Sequence, residues 1–226
     1  MHIKHIFFDL DHTLWDFEAN SKKTFSYIFD KNGLEIKFND FIEVYQPINH
    51  RYWKLFREDK VSKSQLRYGR LKEAFQAIDF KSDDELIHLL SEEYITYLAN
   101  HNALFENAIP VLEYLQPKYK MHIITNGFEE VQHRKLKNSN LMPFFNEIIT
   151  SEKVGVKKPN PKIFEYALDI TGAVNEESVM IGDNFEADIL GAKNMGMQVI
   201  FCKFNGESAT EEVSSVENLL ELKKFL

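Results

Sequence analysis

The chain has 226 residues, of which 44% are hydrophobic and 19 are phenylalanine, enough for one large core or a core with a smaller insert. A formal net charge of −8, from 35 acids against 27 lysines and arginines, with no obvious basic face, argues against a nucleic acid polymer as partner. No apolar run approaches about eighteen residues, so no transmembrane helix is expected, and the single cysteine, Cys202, excludes an intramolecular disulfide, as suits a reducing cytoplasm.

In chain order, the first element is a strand over Ile3–Phe8. It runs straight into acids in "HIFFDLDHTLWD", with no small-residue cleavage site of the kind that ends a signal peptide. The stretch from Asp16 to Ala103 then holds only two glycines and several helix starts. Ser82 with Glu85 reads as a capping box, and Ser62 or Ser64 as another helix start. Leu86, Leu89, Leu90, Tyr94 and Leu98 recur as one helical stripe. About four helices fit this stretch, with Pro47 ending or kinking one of them. Beyond it the texture changes. Short apolar runs at Met121–Thr125, Glu147–Thr150, Ser178–Ile181 and Gln198–Cys202 read as strands buried on both faces of a parallel sheet. Helices are expected at Phe128–Asn138, at Pro161–Thr171 with Asn160 as N-cap, at Phe185–Met195, and as a closing amphipathic helix at Val216–Leu226. Strands alternating with such helices indicate an α/β fold, a Rossmann-like doubly wound parallel sheet with an inserted helical bundle. The expected division is residues 1–15 and 104–226 for the sheet domain and 16–103 for the insert.

In open α/β sheets, ligands bind beyond the carboxyl ends of the strands. Here those ends carry Asp9 and Asp11; Thr125-Asn126-Gly127; Lys157 and Lys158 after the third strand; and Asp183 and Asp188 in "IGDNFEAD". Polar strand ends meeting water would explain any one of them. All four together suggest phosphoryl chemistry. Clustered carboxylates repel each other unless a cation sits among them. Mg²⁺, a hard ion, takes oxygen ligands from one or two carboxylates plus phosphate. A carboxylate can then attack phosphorus, with a lysine and a hydroxyl holding the phosphoryl oxygens.

The stretches "DLDHTL", "TNG", "GVKKP" and "GDNFEAD" are similar, in this order, to the four motifs of the haloacid dehalogenase-like hydrolase superfamily, and the helical insert sits where that family carries its type-1 cap. The resemblance implies Asp9 as nucleophile and Asp11 as the acid that protonates the leaving oxygen and later activates water. It implies Thr125 and the backbone at Asn126 as phosphate-binding groups, and Lys158 as the cation beside phosphate and Asp9. Lys157 is expected to face solvent. Mg²⁺ would be held by Asp9, the backbone carbonyl of Asp11 and Asp183, with Asp188 behind them or acting through water. The dehalogenases of the superfamily lack the second acid of the pair, so Asp11 favours a phosphatase. A sugar-phosphate phosphatase or a phosphomutase of the superfamily is the alternative, since these share all four motifs, whereas a binding protein without catalysis would show one of them eroded.

"DLDHTLWDFEANS" and "TNGFEEVQHRKLKNSNL" further resemble the bacterial pyrimidine 5′-nucleotidase branch. That implies a small phosphorylated metabolite, a nucleoside 5′-monophosphate, as substrate for a cytoplasmic monomer or weak dimer. Trp15 and Phe17, next to the catalytic loop, would suit a nucleobase by stacking. They would equally suit a hinge or the insert's core. His12 between the acids and Thr13 reads as an exposed spacer or as a substrate contact.

Overall fold

The computed structural model describes residues 2–204 and 212–226. The chain divides into two compact units, Met1–Phe17 with Asn102–Leu226, and Glu18–His101. Strand β1 is His5–Phe8, and four helices follow it: α1 Phe17–Lys31, α2 Phe38–Arg57, α3 Lys63–Ala77 and α4 Asp84–Tyr97. Then come α5 Ala108–Leu115, β2 Lys120–Thr125, α6 Glu129–Asn138, β3 Glu147–Thr150, the single turn α7 Ser151–Val154 and α8 Pro161–Thr171. Strand β4 is Ser178–Gly182; a wide-turned helical segment, Phe185–Leu190, leads into α9 Gly191–Lys193, β5 Gln198–Cys202 and β6 Ser215–Val216.

The six strands form one parallel sheet in the order β3-β2-β1-β4-β5-β6. Strands β1 and β4 are buried at every position, as covered faces on both sides require. Phe7, Ile124, Ile149 and Met180 pack with Ile163, Phe164, Ala167 and Leu168 of α8. That helix forms there because Asn160 accepts from the Lys162 N–H at 3.0 Å, Pro161 occupies the first turn, and Gly172 ends it at φ 63°. Register sets the site. Phe8 pairs with both Ile123 and Ile181, so Asp9, Thr125 and Asp183 all emerge just past one row of the sheet. The Asp9 N–H still donates to the Ile181 carbonyl at 2.8 Å.

The helical unit has an aromatic centre. The Phe25 ring lies 4.5 Å from Tyr94, 4.6 Å from Tyr45 and 4.9 Å from Phe41. Helix α3 opens with a complete capping box, Ser62 accepting from the Gln65 N–H and the Gln65 side chain accepting from the Ser62 N–H. Among the described residues, no helix is long and apolar enough to cross a membrane.

The structure corrects the sequence expectations in three places. The cap of α4 is Asp83, which accepts from the Leu86 N–H at 2.8 Å, and not Ser82. Leu89 faces outward at 47% exposure, and Ile87, Leu90, Ser91, Tyr94 and Ile95 form the buried face. Of the two effects expected of Pro47, ending a helix or kinking it, the first does not occur, since Pro47 lies within α2. The closing segment is a short strand, β6, followed by a 3₁₀ turn at Leu219–Lys224, not one amphipathic helix.

Candidate active site

Lys158 is the hub of the site. Its ammonium donates to Asp9 Oδ1 at 2.7 Å and to the Ile124 carbonyl at 2.6 Å, and lies 2.6 Å from Asp188 Oδ1. Local sequence puts it there. Thr150 caps α7 by accepting from the Lys153 N–H, and Gly155, at φ 84°, turns the chain back toward the sheet. Asn126 then clamps the Lys158 peptide from both sides. Its Oδ1 accepts from the Lys158 N–H at 2.8 Å and its Nδ2 donates to the Lys158 carbonyl at 3.0 Å. Of the two lysines, Lys158 is therefore the one in the cluster, and Lys157 stays half-buried outside it.

Asp9, Asp183 and Asp188 bring carboxylate oxygens within 4.8 Å of one another. Burial, opposed by Lys158 and reinforced by Asp188, pushes the Asp9 carboxyl up to about 7. Burial, then Asp9 and Asp188, push Asp183 well above the ordinary carboxylate range. Burial pulls Lys158 down, but Asp188 and Asp9 outweigh it and leave the ammonium held above its usual value. One lysine thus leaves three carboxylates under-compensated. An all-oxygen set that resists ionising beside its neighbours suits a small hard dication, so Asp9, Asp183 and Asp188 fit Mg²⁺. Thr13 Oγ1 donates to Asp183 Oδ1 at 3.4 Å. Asp188, with Lys158 on one oxygen and the Asn184 N–H on the other at 3.0 Å, stands behind the other two. Gly182 permits this approach, because a Cβ at that position would overlap the Asp188 carboxylate.

Asp11 faces different neighbours. Lys135 donates to its Oδ1 at 2.6 Å and Gln132 to its Oδ2 at 3.0 Å. Neither residue was expected at the site from sequence. Both sit on the inward side of α6, buried, where Val131 and Leu136 already supply an apolar face. Two long polar side chains one turn apart on a core-facing helix were the available signal. Gln132 also donates to Thr125 Oγ1 at 2.7 Å, and Gly127 leaves room for its amide, since a Cβ there would overlap it.

Of the two readings open for Trp15, a stacking platform or a buried hinge residue, its burial favours the second. Its ring is fully buried, with the Lys135 ammonium 4.3 Å from its centroid, so it serves as a floor for that lysine and offers no free face. The Lys135 ammonium lies 5.4 Å from the Phe17 ring centroid. His12 adopts a left-handed backbone at φ 61°, with its ring 5.0 Å from Phe17.

Comparison with known proteins places this geometry. Residues 6–202 match the family model for haloacid dehalogenase-like hydrolases. The chain is 31% identical to pyrimidine 5′-nucleotidase YjjG of Escherichia coli, over 98% of this chain and 96% of that protein. It is 34% identical to glyceraldehyde 3-phosphate phosphatase of Methanothermobacter thermautotrophicus, over 99% of this chain and all of that protein. The solved structure of the HAD-hydrolase YfnB of Bacillus subtilis bound to magnesium superposes with a TM-score of 0.90 at 26% identity, covering 100% of this chain and 99% of that one. With strand order, motif positions and family model in agreement, the chain belongs to the haloacid dehalogenase-like hydrolase family.

Proposed function

We propose that this protein is a Mg²⁺-dependent phosphomonoesterase that passes the phosphoryl group through Asp9 and acts on nucleoside 5′-monophosphates. The observation that carries the reading is the pair of acids at the end of β1. Asp9 sits among carboxylates and Lys158, while Asp11, two residues on, is held separately by Lys135 and Gln132. A halide leaving group needs no proton, but an alkoxide does, and we assign Asp11 as its donor. The dication, held by Asp9 and Asp183 with Asp188 behind them, would offset phosphate charge and keep Asp9 ionised.

In the first half-reaction an Asp9 carboxylate oxygen attacks phosphorus. The ester P–O bond breaks, and the leaving oxygen takes its proton from Asp11. Lys158 balances charge on Asp9 and on the phosphoryl oxygens, and Thr125 donates to one of those oxygens. In the second half-reaction Asp11, now a base, takes a proton from water as it attacks the aspartyl-phosphate, releasing phosphate and restoring both acids.

The nucleotide class rests on likeness to the pyrimidine 5′-nucleotidases. The glyceraldehyde 3-phosphate phosphatase of Methanothermobacter, 34% identical over its full length, favours a second reading, a small phosphorylated sugar. Phosphate release measured over cytidine and uridine 5′-monophosphates, glyceraldehyde 3-phosphate and 2-chloropropionate, with and without chelator, decides among them. The expected result is highest kcat/KM on a nucleoside monophosphate, lost on chelation and restored by Mg²⁺. Preference for the triose phosphate would replace the nucleotide reading, and halide release from chloropropionate would replace the phosphatase.

A further inference from the structure

Gln132 and Lys135 occupy positions where packing alone asks for apolar side chains. A buried amide or ammonium costs free energy unless its hydrogen bonds are made. Here the Gln132 amide nitrogen bonds to Thr125 and Asp11 and the Lys135 ammonium to Asp11, groups that the phosphatase reading uses, and the inference rests on that reading. Thr125 Oγ1 accepts from the Gly127 N–H at 3.0 Å and from Gln132 Nε2 at 2.7 Å. A hydroxyl has two acceptor lone pairs and one proton. With both lone pairs taken, the Thr125 proton can only be donated away from α6.

Asp11 is fixed by the same two residues, one on each carboxylate oxygen. Lys135 is in turn fixed by the faces of Trp15 and Phe17, whose centroids lie 4.3 and 5.4 Å from its ammonium. Gln132 is fixed by the bare backbone of Gly127 beneath its amide. We propose that Gln132 and Lys135 are positioning residues: Gln132 turns the Thr125 hydroxyl into an obligate donor for a phosphoryl oxygen, and together they hold the Asp11 carboxylate for the leaving oxygen. Both act through Asp11 and Thr125 rather than on the substrate.

The two halves have separate signatures in steady-state kinetics with excess Mg²⁺, using cytidine 5′-monophosphate and p-nitrophenyl phosphate. Lys135→Met should lower kcat on the nucleotide by on the order of 10²-fold, with KM within about twofold. The loss on p-nitrophenyl phosphate should stay under about tenfold, because nitrophenolate departs without a proton. Lys135→Arg, which keeps the donor, should recover most of the loss. Gln132→Leu should raise KM for both esters, and the inhibition constant of inorganic phosphate, by about tenfold, the worth of one directed hydrogen bond. If Gln132→Leu does not fold, Gly127→Ala carries its test, since the methyl displaces Gln132 and should weaken phosphate binding alike, and if Lys135→Met does not fold, the kcat ratio of Lys135→Arg on the two esters carries the other. Equal losses on both esters, failure of Lys135→Arg to rescue, or unchanged phosphate inhibition in Gln132→Leu and Gly127→Ala would overturn the assignment. An active wild type with an inactive Asp9→Asn, beside unaffected Gln132 and Lys135 variants, overturns the positioning role alone. No phosphate release by the wild type overturns the phosphatase reading beneath it.

Discussion

Lys158 in the sheet unit and Arg70 in the helical unit are each 2% exposed, yet they are accommodated by opposite means. Lys158 is ringed by the carboxylates of Asp9 and Asp188 and by one carbonyl. Arg70 donates to the neutral Asn49 Oδ1 at 2.9 Å and lies 4.8 Å from the centroid of the Tyr94 ring and 5.9 Å from that of Tyr45, while its Nε has no partner among the described residues. Counter-charges make a buried cation costly to remove, because the acids left behind are then unpaired. Rings and a neutral acceptor leave far less behind. The sheet unit has thus concentrated opposed charge at one end of its strands, where it can be redistributed onto a substrate, while the helical unit uses a cation as part of an aromatic core.

The contrast can be broken by substitution, beginning with the largest effect. Asp9→Asn should reduce phosphate release by on the order of 10³-fold or more, and its melting temperature should stay within about 5 °C of wild type. Burial already disfavours the Asp9 charge, so a neutral amide is tolerated there. Appreciable turnover by this variant would remove Asp9 from the nucleophile's role. Lys158→Met should cost about 3–5 kcal/mol in urea unfolding at neutral pH, the penalty for stranding buried carboxylates.

The opposite end of the sheet supplies an intermediate case. His5 Nδ1 and His122 Nε2 lie 3.1 Å apart, and the His122 ring stacks on Phe7. Burial, then the neighbouring His5 and Lys120, push His122 down to about 4. The unfolded chain takes up that proton near the ordinary value of 6.5. The stabilisation is therefore complete above that pH and is lost as pH falls toward about 4, by about 3 kcal/mol. His122→Phe should lose less stability than wild type between pH 7 and pH 4.5; parallel losses would acquit His122. Smallest of all, Arg70→Met should cost about 1–2 kcal/mol, the loss of one hydrogen bond to a neutral acceptor. A cost equal to that of Lys158→Met would erase the distinction between the two cations.

What could be read in advance follows from which signals are local. The strands from His5, Lys120, Glu147, Ser178 and Gln198 were visible because two-sided burial leaves near-continuous apolar runs, and the acids, threonine and lysine stood out by ending them. Strand β6 was not visible, because two residues carry no periodicity. Asp83 displaced Ser82 as a cap because "SDDE" offers adjacent candidates. Gln132 and Lys135 escaped notice for a different reason. Their partners lie 121 and 124 residues away in the chain, and only the β1–β2 pairing brings α6 beside Asp11. The choice left open for Trp15 follows the same rule, since the group that covers it is Lys135.

Gly127 and Gly182 carry a consequence for anyone engineering this scaffold. Exchanging glycine for alanine is a common route to a stiffer unfolded chain and a higher melting point. At these two positions the missing methyl is the space occupied by the Gln132 amide and the Asp188 carboxylate. A stabilisation campaign guided by backbone angles alone would accept both exchanges, since neither glycine has a positive φ. It would return a protein whose buried polar side chains no longer fit, and sequence libraries for this fold should hold both positions fixed.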